Sequence, residues 1–223
     1  MRSDPDRDCP LCPRLVAFRD LQRRDEPTWH NAPVPTFGAA SARLLVVGLA
    51  PGRAGANRTG RPFTGDYAGT LLYETLSAVG FANGAFDARP DDGLVLIDAA
   101  VTNAVRCVPP QNKPTGAEIR NCSVFLTATI AAMAELRVVL ALGRIAHDAV
   151  VRALGGRLAH HPFRHGATHE LASGVAVADS YHPSRYNVNT GVLDAAMFAE
   201  ILAAVRARLD AASLTQVPRD GLL

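Results

Sequence analysis

Four short apolar runs set apart by helix-patterned segments constrain this chain more than any other feature. Leu44–Leu49 (LLVVGL), Leu94–Ala99, Arg137–Leu142 and Gly174–Ala178 read as buried strands, each short and close to a glycine or acidic breaker. Between them lie segments with helical spacing. One starts near Tyr67, with Leu71, Leu72, Leu76 and Val79 in phase and Gly80 as its stop. A second opens on the capping box Thr115-Gly-Ala-Glu118 and runs to about Glu135. Others cover Pro13–Arg24, Gly143 to about Leu154, and Gly191 to about Leu209. This alternation predicts an α/β fold with a central, mainly parallel sheet of at least four strands flanked by helices. Residues 1–212 are expected to form a single domain, residues 1–42 an N-terminal arm rich in proline and charge, and residues 213–223 a loose tail. The loops beginning at Ala50, Thr102, Gly143 and Asp179 then all leave carboxyl ends of strands, where an open α/β sheet binds ligands on one rim.

Composition narrows the class. Hydrophobic residues are 48% and charged residues 20%, as in an ordinary globular chain. The longest apolar stretch, Val138–Gly143, is too short to span a bilayer. The charged N-terminus MRSDPDRDCPLCPRL lacks the apolar run of a secretion signal. A cytoplasmic protein with no membrane partner is expected. Net charge is only +2, but its distribution is uneven. Arg43–Gly65 holds four arginines and no acid, and Arg144–His169 holds four arginines and five of the seven histidines against Asp148. Basic segments on a near-neutral chain fit an anionic partner met on one face, although GC-rich coding also favours arginine.

Cys9 and Cys12 form a C-x-x-C, which turns two thiolates onto one metal centre, and Cys107 with Cys122 can complete four-coordination. Zinc and an iron–sulfur cluster both accept four cysteines, and the spacing does not separate them. Such a centre ties the N-terminal arm to residues near 107–122 and has no implied redox role.

Three loop segments carry chemistry. They are Gly48-Leu-Ala-Pro-Gly52 continuing through Asn57 to Phe63-Thr-Gly-Asp66, then Thr102-Asn103 to Pro114, then His182-Pro-Ser-Arg-Tyr-Asn187. The first is neither a P-loop nor a dinucleotide fingerprint. Together with the four cysteines, and in this order, these segments resemble the uracil-DNA glycosylase superfamily, most closely its iron–sulfur branch and, within it, family 5 (the UDGb type). The resemblance spans Cys9 to about Leu193. Family 4 carries Gly-Glu-Ala-Pro-Gly at the first motif, with the glutamate handling the catalytic water. Here that position is Leu49, as in family 5, with Asp66 nearby. The cross-linking branch has Gly-Glu-Gln-Pro-Gly and a basic insertion, and neither is present.

The resemblance implies a monofunctional glycosylase of base-excision repair. It would flip uracil, hydroxymethyluracil or hypoxanthine out of duplex DNA, hydrolyse the N-glycosidic bond and leave an abasic site. It implies a 4Fe-4S cluster on Cys9, Cys12, Cys107 and Cys122, with zinc the lesser alternative, and a nucleoid-associated monomer. Asp66 would serve the sugar side of an oxocarbenium-like transition state, although Asp at that place also commonly caps a helix. His182 would donate to the base O2, and Asn103 would read one edge of the base bidentately. Phe63 would stack on the flipped ring, with Leu49, Ala50 and Gly52 lining the pocket and Tyr67, Gly69 and Asn57 as lesser candidates. Arg185 and Tyr186 would form the minor-groove wedge, and Ser184, Arg58, Arg61, Lys113 and Arg144 would contact phosphate. Any one of those charges could equally be plain solvated surface. Lys113, the single lysine, has no nucleophilic role. Two other readings use the same residues: a catalytically weak binder of damaged or single-stranded DNA, and a metal-bearing α/β protein acting on free nucleotides.

Overall fold

The computed structural model describes residues 3–214. Its strands are β1 (Phe37–Gly38), β2 (Leu44–Gly48), β3 (Ala82–Asn83), β4 (Val95–Leu96), β5 (Ala99–Asn103), β6 (Val138–Leu142), β7 (Thr168–Glu170) and β8 (Ala176–Ser180). Its α-helices are α1 (Pro13–Asp25), α2 (Ala56–Thr59), α3 (Tyr67–Ala78), α4 (Gly116–Ala132), α5 (Arg144–Ala153), α6 (Arg185–Asn189) and α7 (Ala195–Leu214). Six strands form one sheet in the order β1-β5-β2-β6-β8-β7. The inner four are parallel, and the short edge strands β1 and β7 run antiparallel.

The inner strands are apolar on both faces because both faces are covered. Along β2 the faces alternate. Leu44 and Val46 join the core beneath α3 and α7, while Leu45 and Val47 join the core beneath α4 and α5. β2 lies between β5 and β6, so the chain leaves it toward opposite sides of the sheet, and a crevice opens at its carboxyl end. The register sets Gly48 beside Asn103 and Leu142 beside Ser180, which brings three strand ends and their loops to one rim.

The second strand is displaced from the sequence expectation. The run 94–99 breaks at Asp98, which adopts a left-handed φ of 55°. Its carboxylate accepts from the Arg43 backbone N–H at 2.9 Å and from the Arg43 guanidinium at 2.9 and 2.6 Å. Aspartate tolerates this conformation better than most residues. Val95–Leu96 therefore pairs with Ala82–Asn83 in a separate ribbon, and the core strand is 99–103, so Thr102 and Asn103 end a strand rather than begin a loop. Likewise Asp179 and Ser180 close β8 instead of opening a loop. The last helix starts at Ala195, because Gly191 turns at φ 71° and the N–H groups of Val192 and Leu193 bond back to Asn187. It continues through Ser213 and Leu214, and the rest of the expected tail, 215–223, lies outside the described residues. No helix among the described residues is long and apolar enough to cross a membrane.

Candidate active site

The crevice beyond β2 is a cavity of about 570 Å³, within the usual range for a small-molecule site of about 300–1,000 Å³. Its lining includes Leu49, Ala50, Gly52, Phe63, Asp66, Tyr67, Asn103, His182, Ser184 and Arg185. The three loaded segments of the sequence thus converge.

Close packing builds the floor. A Cβ on Gly48 would fall 2.4 Å from Phe63 Cζ and 2.6 Å from Asn103 Oδ1, and one on Gly69 would fall 1.8 Å from the Phe63 carbonyl oxygen. Only glycine permits these approaches. Phe63 itself takes a left-handed φ of 55°. Its turn is held from behind, where the Tyr73 hydroxyl donates to the Pro62 carbonyl at 2.7 Å and Thr64 donates to the Arg61 carbonyl at 2.7 Å.

Each polar group has a distinct setting. Asn103, 3% exposed at the end of β5, makes no side-chain hydrogen bond to any described residue, so its amide keeps a donor and an acceptor for a ligand. His182 stacks against Phe63 with ring centroids 6.0 Å apart and an interplanar angle of 26°. Its carbonyl is fixed by Ser184 N and Asn187 Nδ2, each at 2.8 Å, while the ring nitrogens have no partner among the described residues. Burial lowers the His182 pKa, and the charge of Asp66 opposes that shift only in part, so the imidazole is neutral at neutral pH. Asp66 is the N-cap of α3, its Oδ1 accepting from Gly69 N at 2.9 Å. Its Oδ2 lies on the Gly52 side of the cavity. Asp66 is the single carboxylate in the lining and Arg185 the single permanent cation.

The rim is uneven. Ser184 caps α6, and the Arg185 guanidinium lies 5.8 Å over the Tyr67 ring. Tyr186 projects with 74% of its surface exposed. Arg58 and Lys113 are exposed near the rim but do not line the cavity. Arg61 corrects an expectation. It is 4% exposed, paired bidentately with Asp92 at 2.8 and 2.6 Å, and surrounded by the Phe37, Tyr73 and Phe86 rings at 5.3–5.5 Å. It supports the Phe63 turn from inside the core and cannot reach phosphate. Of the lesser candidates, Gly69 supports Phe63, and Asn57 is buried with its Nδ2 on Asn31 Oδ1 at 2.9 Å. Asn112, not singled out from sequence, lines the cavity. It follows Gln111, and both adopt φ 56°, a loop shape that composition does not reveal.

The four cysteines also converge. They are free thiols lining one apolar recess with Leu15, Val105 and Phe125, where Arg19 is the lone charge. Cys12 caps α1, Cys107 follows β5 and Cys122 lies on α4. Arg106 N donates to Cys122 Sγ at 3.3 Å. Burial pushes Cys107 up to about 12 and Cys122 up to about 11, the range expected of thiols that ionise only against a cation. Among the described residues no three of these sulfurs close to within 4.8 Å of one another. Sulfurs on one zinc ion at about 2.3 Å each sit about 3.8 Å apart, so the set is wide for a single ion. Arg14 links this recess to the rim, bonding Glu118 at 2.8 and 2.7 Å and the Lys113 carbonyl at 3.0 Å.

A family model described as the uracil DNA glycosylase superfamily matches residues 35–206. The chain is 47% identical over 200 residues to a type-5 uracil-DNA glycosylase of Thermus thermophilus, covering 87% of this chain and 90% of the relative. It is 43% identical to a protein of the same name from Pyrobaculum aerophilum, covering 92% and 90%, and 43% identical to one from Mycobacterium leprae, covering 86% and 88%.

Proposed function

The chain belongs to the uracil DNA glycosylase superfamily, and from that premise we propose that it everts uracil and related deaminated bases from duplex DNA and hydrolyses their N-glycosidic bond. The observation that carries the reading is the pairing, in one cavity, of a lone carboxylate with a neutral, unpartnered imidazole and an unpartnered amide.

Hydrolysis develops positive charge on the sugar and negative charge on the departing base. Asp66 supplies negative potential to the sugar side. His182, neutral, donates its N–H to the base carbonyl as charge grows there, without giving up a proton. Donors placed in this way are worth roughly 10²–10³ in rate. Asn103 offers the amide edge that matches the donor–acceptor edge of a pyrimidine. Phe63 forms the stacking wall. The glycosidic electron pair leaves with the base, the oxygen of water bonds to the anomeric carbon, and the proton that water gives up is taken by the Asp66 carboxylate and ends on the released base. The Leu49 side chain cannot take a proton from water, which leaves Asp66, the single carboxylate of the lining, for that role. Eversion costs a few kcal/mol, least at a mispair, and Arg185 and Tyr186 fill the vacated stack. Arg58, Lys113, Arg144 and Ser184 hold the backbone, and the protein acts as a monomer.

The test is a uracil-containing duplex treated with the protein and then alkali. A break at the uracil is expected, and an unbroken strand at every salt concentration overturns the reading.

Cys9, Cys12, Cys107 and Cys122 would hold a 4Fe-4S cluster, a fit supported by the width of the set. When bound, the cluster supplies a cross-link between the arm and α4, with no part in hydrolysis. Cys12→Ser is expected to lose iron and visible absorbance. It should lower the Tm by about 2–4 °C for each kcal/mol removed, while the rate per folded molecule is kept. Normal Tm with lost activity would contradict the structural role.

A further inference from the structure

Part of the histidine-rich stretch gathers around one buried member, His147, behind the cavity. His147, on the first turn of α5, is fully buried. Its Nδ1 lies 2.7 Å from Asp179 Oδ1 and its Nε2 lies 2.8 Å from the His161 carbonyl oxygen. A carbonyl only accepts. Asp179, also fully buried, accepts at Oδ2 from Arg164 N at 3.2 Å and faces His169 Nε2 at 3.1 Å. Of the two atoms that share the proton between Asp179 Oδ1 and His147 Nδ1, the imidazole nitrogen is by far the more basic and holds it. A neutral imidazole has one N–H and can satisfy only one of its two partners, so both contacts require an imidazolium. A divalent cation would fit the cluster less well. With one carboxylate and two imidazoles it leaves a buried net positive charge, whereas a proton leaves the group neutral.

This cluster fastens the segment 161–167 to the strand that delivers His182. Gly166 N bonds the Asp179 carbonyl and Asp179 N bonds the Ala167 carbonyl, each at 2.9 Å. Tyr181 N donates to His165 Nδ1 at 3.1 Å, and the His165 ring lies flat on Tyr181, centroids 4.6 Å apart. Tyr181 directly precedes His182.

We propose that His147 is a positioning residue: as an imidazolium bridging Asp179 and His161, it locks segment 161–167 behind Tyr181 and fixes the backbone from which His182 enters the cavity. The proposal rests on the reading of His182 as the donor to the departing base. The groups facing His147 are Asp179 from β8, His169 from β7, His161 from the loop before β7, and Asp148 from its own helix, while Arg144 lies over Phe163 at the edge of the ring. Burial pulls the His147 pKa down, but the hydrogen bond and charge of Asp179 outweigh it, and the value is raised. A raised pKa keeps the frame whole below that value and releases it as pH rises through it.

Nitrogen-15 NMR of histidine-labelled, iron-loaded protein reads the protonation directly. Both His147 nitrogens should carry protons at pH 7 and lose one only on the alkaline side. Glutamine at 147 offers two amide N–H donors without the charge. The wild-type rate should fall on the alkaline side, and His147→Gln should slow single-turnover excision of uracil by about 10- to 100-fold and erase that fall, with DNA affinity unchanged. His165→Phe keeps the stacking and removes the acceptor for Tyr181. It should slow excision similarly while the His147 spectrum stays that of an imidazolium, and it serves if His147→Gln does not fold. A neutral His147 at pH 7, a stoichiometric metal besides iron, or wild-type rates in His165→Phe would each overturn the proposal. A wild-type protein that excises no base overturns the functional reading instead, and the spectrum still decides the protonation state.

Discussion

Asp66→Asn lowers single-turnover excision of uracil by roughly 10²–10⁴-fold, the range typical of a lost acid–base carboxylate, with a Tm within about 1 °C of wild type. The expectation follows from the two roles the structure gives one side chain. Oδ1 caps α3 through Gly69 N, and Oδ2 lies toward the cavity. Asparagine caps a helix about as well as aspartate, because its carbonyl oxygen accepts the same bond. The asparagine variant therefore keeps the helix start and the shape of the cavity, and removes only the charge facing the sugar. Asp66→Ala removes both and should lose about 1 kcal/mol of stability in addition. Affinity for uracil-containing duplex should be unchanged or tighter in Asp66→Asn, since a carboxylate beside a phosphodiester chain repels the ground state. Wild-type rates in Asp66→Asn, with losses confined to Asp66→Ala, would reduce Asp66 to a cap and move the catalytic charge elsewhere.

Much of this site was legible because it sits where chain direction and topology coincide. Loops after parallel strands share a rim whatever their length, so Leu49–Gly52, Asn103 and His182 could be placed together without knowing the strand order. The helix starts at Pro13, Tyr67 and Gly116 followed from local signals of proline, Asp66 and the Thr115–Glu118 box. The misreadings share one cause: an interaction between residues far apart in sequence outweighed a local pattern. The run 94–99 is a plausible strand by composition, but Arg43, 55 residues from Asp98, captures that carboxylate and turns the chain. Four arginines without an acid between Arg43 and Gly65 suggested an open basic face. In space Arg43 meets Asp98, Arg53 meets Glu26 and Arg61 meets Asp92, which leaves Arg58 as the arginine of that stretch with no acidic partner among the described residues. Of the histidines of 147–169, His147 and His169 turn onto Asp179 at the end of β8, an arrangement that a count along the stretch does not reveal. Charge counted along a chain is not charge arranged in space.

The Arg61–Asp92 pair tests that distinction with a large effect on stability. Arg61→Met leaves the Asp92 carboxylate, its side chain 1% exposed, without its partner, and breaking a buried pair costs about 3–5 kcal/mol. For a chain of this size that is a fall in Tm on the order of 10 °C. The pH dependence should change with it. Hydrogen bonds and the charge of Arg61, helped by the backbone N–H groups of Asp87 and Leu94, hold the Asp92 carboxyl far below the ordinary carboxylate range. A depressed folded-state pKa contributes stability above the unfolded value, and that stability is lost as pH falls through the folded one. In Arg61→Met the acid form becomes the better tolerated, so the deficit should be large at pH 7 and shrink toward pH 4. Adding Asp92→Leu to Arg61→Met removes the orphaned charge and should recover part of the loss, whereas Asp92→Leu alone strands the guanidinium among Phe37, Tyr73 and Phe86. DNA binding supplies the opposite readout. Arg58→Gln should leave the stability within about 0.5 kcal/mol of wild type and reduce the salt slope of duplex binding by about one counterion. Folded Arg61→Met should keep that slope. It should nevertheless excise more slowly, because the turn carrying Pro62 and Phe63 loses its support. A wild-type Tm combined with a reduced salt slope in Arg61→Met would return Arg61 to the phosphate backbone and remove the physical reason given for the shape of the Phe63 wall.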